Sequence, residues 1–377
     1  MAVPRTTLWE IQPHTRAKHR ILKSYLDAWL PIMARYNGRI LFIDGFAGPG
    51  RYSGGEEGSP LIALRALLDH PHFVRRERGT EVVFFFIEND KRRAAALREE
   101  IAALKSERPL PAWVLYEVIE GKFAPNLNRM LDSLKVQHVS IAPTFAFVDP
   151  FGFGDVPMEA IARLVRNDHC ECLINFSFDS INRFLTHPDP KIQEQFDRLF
   201  GTSGWRGILE LKDPEARREK ILELYAQMLK KVAKLKYVRR FEMMNEGNRM
   251  EYVLFFGTNS EQGLSKMKQA MWRADPEAGQ IFSDRSDPRQ MVLLQTGAEA
   301  GLTEVLRKRF KGSGFVPIEA AELFVLVETP YSEKIHLKRK TLARMEKASP
   351  TQLDVRRPNG ARDRAGEYPS GTMMKFI

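Results

Sequence analysis

Residues 41–50 read LFIDGFAGPG, an apolar run that ends in Asp44 and passes directly into Gly45, Gly48 and Gly50. A buried strand opening into a glycine turn is where an open α/β sheet brings backbone N–H groups against a ligand. The surroundings support that reading. Upstream, Ile21, Leu22, Tyr25, Leu26, Trp29, Leu30 and Met33 recur at three- and four-residue steps, which predicts an amphipathic helix over 19–33 ended by Asn37-Gly38. Downstream, SPLIALRALLDH reads as a helix with Ser59 as cap and Pro60 in its first position. EVVFFFIEND, WVLYEVIEG, TFAFVDPFGF and ECLINFSF then read as further strands, separated by the helical KRRAAALREEIAALK, FAPNLNRMLDSL and VPMEAIARLVRN. Strands alternating with helices predict an α/β fold, a doubly wound parallel sheet with helices on both faces.

Residues 187–235 read as a helical insertion broken by Pro188, Pro190 and the GTSGWRG loop. VRRFEMMNE and MEYVLFFGTN predict two more strands, and EQGLSKMKQAMWR a closing helix, so the first domain is expected over 1–275. The aperiodic stretch 276–300 reads as a linker. Beyond it, 301–377 holds the helical LTEVLRKRF and IEAAELFVLVET, then a basic helix, SEKIHLKRKTLARMEKA, with Ile335, Leu337, Leu342 and Met345 as its apolar set. Short strands QLDVR and TMMKFI flank a polar excursion. Helices followed by a two-stranded ribbon suggest a winged-helix-like module, which either meets nucleic acid, through residues such as Lys338 and Arg339, or caps the main domain.

The bulk composition narrows the classes. At 377 residues the chain is long for one domain, and 43% hydrophobic with 28% charged residues is ordinary for a globular protein rather than a disordered one. A net charge of +10 favours phosphate polymers or anionic surfaces as partners. Cys170 and Cys172 lie one residue apart with no second pair to complete a metal site, so alternation puts both on one face of a strand as packing groups. With no apolar membrane span and no signal-peptide core at the start, the expected setting is soluble and cytoplasmic.

Two further strand ends carry chemistry. Glu88 in IEND closes the second strand, where an acid can accept both ribose hydroxyls of a nucleoside cofactor, with Asn89 beside it. The dehydrogenase fingerprint fits neither the glycine pattern here nor the spacing to the acid. Asp149, Pro150 and Phe151 close the fourth strand. Asp44 to Gly50, Asp-Gly-Phe-Ala-Gly-Pro-Gly, resembles motif I of class I S-adenosylmethionine-dependent methyltransferases, and Asp-Pro-Phe-Gly resembles motif IV of the amino-methyltransferases, in the variant found in tRNA guanine N2-dimethyltransferases. That resemblance implies a Rossmann-like sheet of seven strands, the last antiparallel. It implies S-adenosylmethionine as cofactor, a carboxylate and a proline carbonyl that hold an exocyclic amine, and in-line displacement that requires no metal. Phe151 or Phe153 would stack on an extruded base.

More of the chain carries a wider resemblance. HTRAKHRILKSYLDAWLPIM, FIDGFAGPGRYSGGEEGSPLIAL, FFIEND, FVDPFGF, ECLINFSFDSINRF, YVLFFGTNSEQGLSKMKQAMW and TLARMEKASPTQLDVR together are similar to the three-Cys-motif partner proteins, the TcmP family. The resemblance implies a methyltransferase-like fold and a neighbour-encoded radical-SAM-like partner that holds the cysteines. By position, Asp44, Gly45, Phe46, Ala47, Gly48 and Gly50 would line the cofactor's amino-acid end, and Glu88 its ribose. Asp149, Pro150 and Phe151 would face the acceptor. His14 and Lys18 would reach the cofactor or a phosphate, or else form a solvated helix start. Asn175 and Arg183 would edge the pocket, Arg183 alternatively bracing its own helix. Glu120, in EVIEGKFAP, is the candidate for the adenine amine. Function is therefore expected to be methylation of a base nitrogen in RNA or DNA; the alternative is a silent methyltransferase-like scaffold that binds nucleic acid or the partner protein.

Overall fold

The computed structural model describes residues 6–74, 80–167, 169–245, 249–275, 281–283, 296–358 and 364–377. Internal packing divides the chain into two compact units, 1–263 and 264–377.

The first unit opens with α1 (Pro13–Tyr36) and β1 (Arg39–Asp44), then α2 (Ser59–Leu68), α3 (Pro71–Val74), β2 (Glu81–Glu88), α4 (Lys91–Glu107), β3 (Val114–Glu120) and α5 (Phe123–Val136). It continues through β4 (Thr144–Val148), α6 (Met158–Leu164), β5 (Cys170–Phe176), α7 (Phe178–Phe184), α8 (Pro190–Phe200), a 3-10 turn (Gly204–Glu210), α9 (Pro214–Lys231), β6 (Tyr237–Met244) and β7 (Met250–Thr258). Its strands lie in the order β3-β2-β1-β4-β5-β7-β6. β1 pairs in parallel with β2 and β4, and β5 with β4. β7 runs antiparallel to both β5 and β6. The last strand is thus the reversed one, as the resemblance implied.

The unbroken apolar strands follow from burial on both faces. From β1, Phe42 meets Phe84, Phe86 and Phe145 on the side where α1 packs Tyr25 and Trp29 against Phe145. Its neighbour Ile43 joins the opposite core with Ile87, Phe123, Ile174, Phe176 and Phe255. Cys170 and Cys172 belong to that second core, where burial pushes their thiols up to about 11 and about 12. Glu171, between them, points the other way. Its carboxylate accepts from Tyr25 Oη at 2.6 Å and Thr258 Oγ1 at 2.5 Å, which ties α1, β5 and β7 together, and burial raises its pKa.

One local expectation is corrected. Gly58, not Ser59, is the N-cap of α2, so Ser59 and Pro60 occupy the first two helical positions. Ser59 is drawn inward, where its hydroxyl bonds to Asp44.

α10 (Glu261–Ala274) runs into the second unit, which contains β8 (Ile281–Ser283), α11 (Thr296–Phe310), β9 (Val316–Pro317), α12 (Ile318–Glu328), a π-helical segment (Glu333–Leu342) continuing as α13 (Ala343–Lys347), β10 (Leu353–Arg356) and β11 (Met373–Phe376). Of the expected linker, 276–280 and 284–295 lie outside the described residues. The small sheet runs β10-β11-β9 with antiparallel pairing. Its core joins Leu302, Leu306, Phe310, Val325, Leu337 and Leu342. Leu337 and Leu342, five apart, share that core because the π turn is wider than the α turn. Ile335, expected with them, is only half-buried.

Candidate active site

The strand order reverses direction between β1 and β4, so the carboxyl ends of these two strands bound the crevice where α/β sheets take ligands. Two cavities open there. The first encloses about 780 Å³ including its mouth, and is lined by the turn Phe46–Gly50 together with Lys18, Asp149, Pro150, Phe151 and Asn175. The second, about 1400 Å³, is lined by Gly45, Glu88, Asn89, Gly121, Lys122 and Phe123 among others. Phe46 and Phe151 line both and stand between them.

The glycine turn is close-packed beneath the first cavity. Gly50 has φ +88°, and a Cβ there would lie 2.9 Å from Leu97 Cδ1; its neighbour Gly48, at φ +65°, presents its N–H to Glu88 Oε2 at 2.8 Å. Left-handed backbone at both positions is what glycine permits at little cost. Glu88 also accepts from Asp90 N at 2.7 Å, so this buried carboxylate fastens the turn after β1 to the turn after β2.

Asp44 lies under the floor rather than on the wall. It is fully enclosed, Oδ1 accepts from Phe46 N at 3.1 Å, and Oδ2 has no hydrogen-bond partner. Burial raises its carboxyl to about 7, against the pull of the Ser59 and Phe46 hydrogen bonds, and the charges of Asp149 and Glu88 push the same way as burial. The expectation that Asp44 itself lines the cavity is corrected; the backbone of the next turn does so.

Asp149 is held by two side chains. Lys18 Nζ lies 2.5 Å from Oδ2 and Asn175 Nδ2 donates to Oδ1 at 2.6 Å. Lys18 is buried and stands 4.9 Å over the ring of Tyr252. That ammonium bears on its helix neighbour: burial, and then the Lys18 charge, lower His19 to about 3 against the opposing influence of Asp149. Asn175 Oδ1 is buried without a partner on the same wall.

Lys18, Asn89, Asn175 and Phe153 therefore each line one of the cavities. Phe153 has one ring face stacked on Phe196, with centroids 4.6 Å apart, which leaves only the other for a ligand. Two expectations, for Glu120 and His14, are not met, and Arg183 takes the alternative given for it. Glu120 lines neither cavity and pairs with Arg98 at 2.8 Å, because its strand end tips it toward α4. Arg183 braces its own helix: it pairs with Asp179 one turn back on α7 at 2.7 Å and is turned to solvent. His14, buried against the Tyr252 ring, lines neither cavity. In the second unit, Lys338 is occupied by Glu322 at 2.9 Å and the Tyr368 carbonyl at 2.9 Å, while Arg339 is exposed.

Sequence reasoning missed a set of wall residues that only topology assembles. Trp9, ahead of α1, meets Tyr52 and Phe151 edge-on at 5.7 and 5.5 Å, and the Arg93 guanidinium lies over both Trp9 and Phe151. Glu251 and Tyr252 arrive from the start of β7, because a reversed strand begins at the edge where its neighbours end.

No protein-family model matches the chain, and no curated protein matches it. Among solved structures it is similar to a protein from Porphyromonas gingivalis W83 provisionally named a methyltransferase, at 14% identity and TM-score 0.26. That likeness covers 59% of this chain and 38% of the other, so the chain spans well under half of that structure's length. It is also similar to a protein from Staphylococcus aureus provisionally named a caffeoyl-CoA O-methyltransferase, at 10% identity and TM-score 0.27, covering 58% of this chain and 76% of the other. The likeness to methyltransferase structures is thus distant.

Proposed function

We propose that this protein is an S-adenosylmethionine-dependent methyltransferase that acts on an exocyclic amine of a base in RNA or DNA. The observation that carries the reading is one wall: the glycine turn after β1 and Asp149-Pro150-Phe151 after β4 face the same cavity at the switch point of the sheet. The strand order with β7 reversed is the one the class I resemblance implies. The residues fit the cofactor: Glu88 and Asn89 at the end of β2 line the second cavity, where a ribose would sit, and the backbone of Phe46 to Gly50 lines the first. When bound, that cofactor supplies an electrophilic methyl group on a sulfonium.

The chain supplies position. Lys18 on one carboxylate oxygen of Asp149 and Asn175 on the other fix the rotation of the group. Each oxygen keeps a lone pair for an incoming N–H, and Asn175 Oδ1 and the Pro150 carbonyl stand beside it as further acceptors. Holding the amine's hydrogens there turns its lone pair outward, and alignment of this kind contributes much of the acceleration in a displacement.

A second reading has its own support. Because Lys18 already occupies Asp149, the same site suits a methyltransferase-like scaffold that binds nucleic acid or a three-Cys-motif radical-SAM-like protein without transferring a methyl group. Isothermal calorimetry with S-adenosylmethionine, followed by incubation of labelled cofactor with total RNA and DNA, separates the two. Label on nucleic acid that Asp149→Ala abolishes, with cofactor binding retained, supports the enzyme. Cofactor binding without label on any acceptor supports the scaffold, and absence of cofactor binding would sink the enzyme reading.

A further inference from the structure

In the second unit, residues 333–347 contain Lys334, Lys338, Arg339, Lys340, Arg344 and Lys347 against only two acids, Glu333 and Glu346. The two signs are segregated. Glu333 is buried and accepts from Ser265 Oγ at 2.5 Å. Glu346 turns toward the small sheet, where it accepts from Arg357 at 2.8 Å and from Tyr368 Oη at 2.7 Å. Lys338 is likewise spent inward, on Glu322 and the Tyr368 carbonyl. Lys334, Arg339, Lys340, Arg344 and Lys347 are all exposed. On the connection between β10 and β11, Arg364 is paired with Glu367 at 3.8 Å.

A solvated helix ordinarily mixes signs, because like charges at i and i+4, such as Lys340 and Arg344, cost roughly 0.2–0.5 kcal/mol per pair. Here both acids of the segment turn inward, whereas five of its six basic residues are exposed. The element order helix, strand, helix, helix, strand, strand, with β9 on the far side of β11 from β10, sets this helix beside a ribbon. A single helix enters the B-DNA major groove but not the deep, narrow groove of A-form RNA.

We propose that the outward side of residues 333–347 is a docking surface for the phosphate backbone of double-stranded DNA, with Lys334, Arg339, Lys340, Arg344 and Lys347 as its contacts. This goes beyond the methyltransferase reading, since it requires neither cofactor nor transfer.

Fluorescence anisotropy of the full chain with a labelled DNA duplex of about 20 base pairs, without cofactor and across a salt series, tests it. Wild type binds with a log–log salt slope of roughly −0.9 per phosphate contacted. The triple variant Arg339→Glu/Lys340→Glu/Arg344→Glu weakens binding at least ~10-fold at about 100 mM salt and flattens the slope by about 2 to 3, with its melting profile retained because all three positions are exposed. Should the triple variant fail to fold, Lys334→Glu/Lys347→Glu carries the same comparison with a smaller loss. Wild-type affinity in a folded variant, a salt-independent constant, equal or tighter binding of an RNA duplex of the same sequence, or binding of an acidic protein in preference to DNA each overturns the proposal. Failure of methyl labelling leaves it standing, and failure of DNA binding leaves calorimetric cofactor binding untouched.

Discussion

Asp44 and His19 are two enclosed titratable groups whose effects on stability oppose each other. For Asp44 the folded pKa, about 7, lies above the ordinary 3.8, so between those values the folded chain holds a proton that the unfolded chain has released, and stability falls as pH rises. For His19 the folded pKa, about 3, lies below 6.5, so in that window the unfolded chain holds the extra proton and stability rises with pH. Each slope is about 1.4 kcal/mol per pH unit, and across the overlap they nearly cancel. Urea unfolding at several pH values between 4.5 and 6.5, roughly the shared window, should show Asp44→Asn tilting the curve upward with pH relative to the parent and His19→Asn tilting it downward. Parallel curves for all three proteins would refute the assignment. Lys18→Met leaves a mostly enclosed Asp149 carboxylate without its cation, and is expected to cost about 3 kcal/mol; Lys18→Met/Asp149→Asn should recover most of that. An additive double variant would show that the pair is not coupled. Glu88 and Asp149 were legible because each ends an apolar run. The Lys18–Asp149 pair was not, since residues so distant in sequence carry no spacing signal.

At the scale of elements, β1, β4, β5 and β7 could be read from their apolar runs, because burial on both faces leaves no alternation to dilute the signal, whereas β3 and β6 are only partly buried. The two-residue β9 is too short to show a period, and the π segment repeats every five residues, where an α-helical template looks every three or four. The turn after β1 is constrained by more than composition. Gly50→Ala combines left-handed backbone with a 2.9 Å approach to Leu97 and is expected to cost about 2 kcal/mol, measured by chemical unfolding. Wild-type stability in that variant would mean that α4 yields to the turn. α10 carries a different device: the buried Lys268 donates to the carbonyls of Val325, Leu326 and Thr329, at 2.7, 2.9 and 3.1 Å, at the end of α12. Lys268→Met should lower the stability of the second unit by about 3 kcal/mol, because three buried acceptors lose one donor. A change below about 0.5 kcal/mol would show that water substitutes for it.

For the whole molecule, two compact units make a fragment experiment informative. A fragment of residues 261–377 keeps α10 with the carbonyls it satisfies and with the core of Leu302, Phe310, Leu337 and Met374, so it should unfold cooperatively by circular dichroism. A fragment of residues 296–377 lacks Lys268 and Trp272, whose Nε1 donates to the Pro330 carbonyl, and should melt lower. Equal melting of the two would assign α10 no part in that unit. The net charge pointed toward anionic partners, but where its cations gather depends on which acids fold inward, and no count of residues contains that.

The reversal of β7 has a consequence for how the site comes into being. β1 to β5 can pair as they leave the ribosome, but the wall that Glu251 and Tyr252 provide must wait until β7 is inserted between β5 and β6. The cavity beside Asp149 is therefore complete only once β7 is in place, and capture of a ligand there would report that this strand has docked.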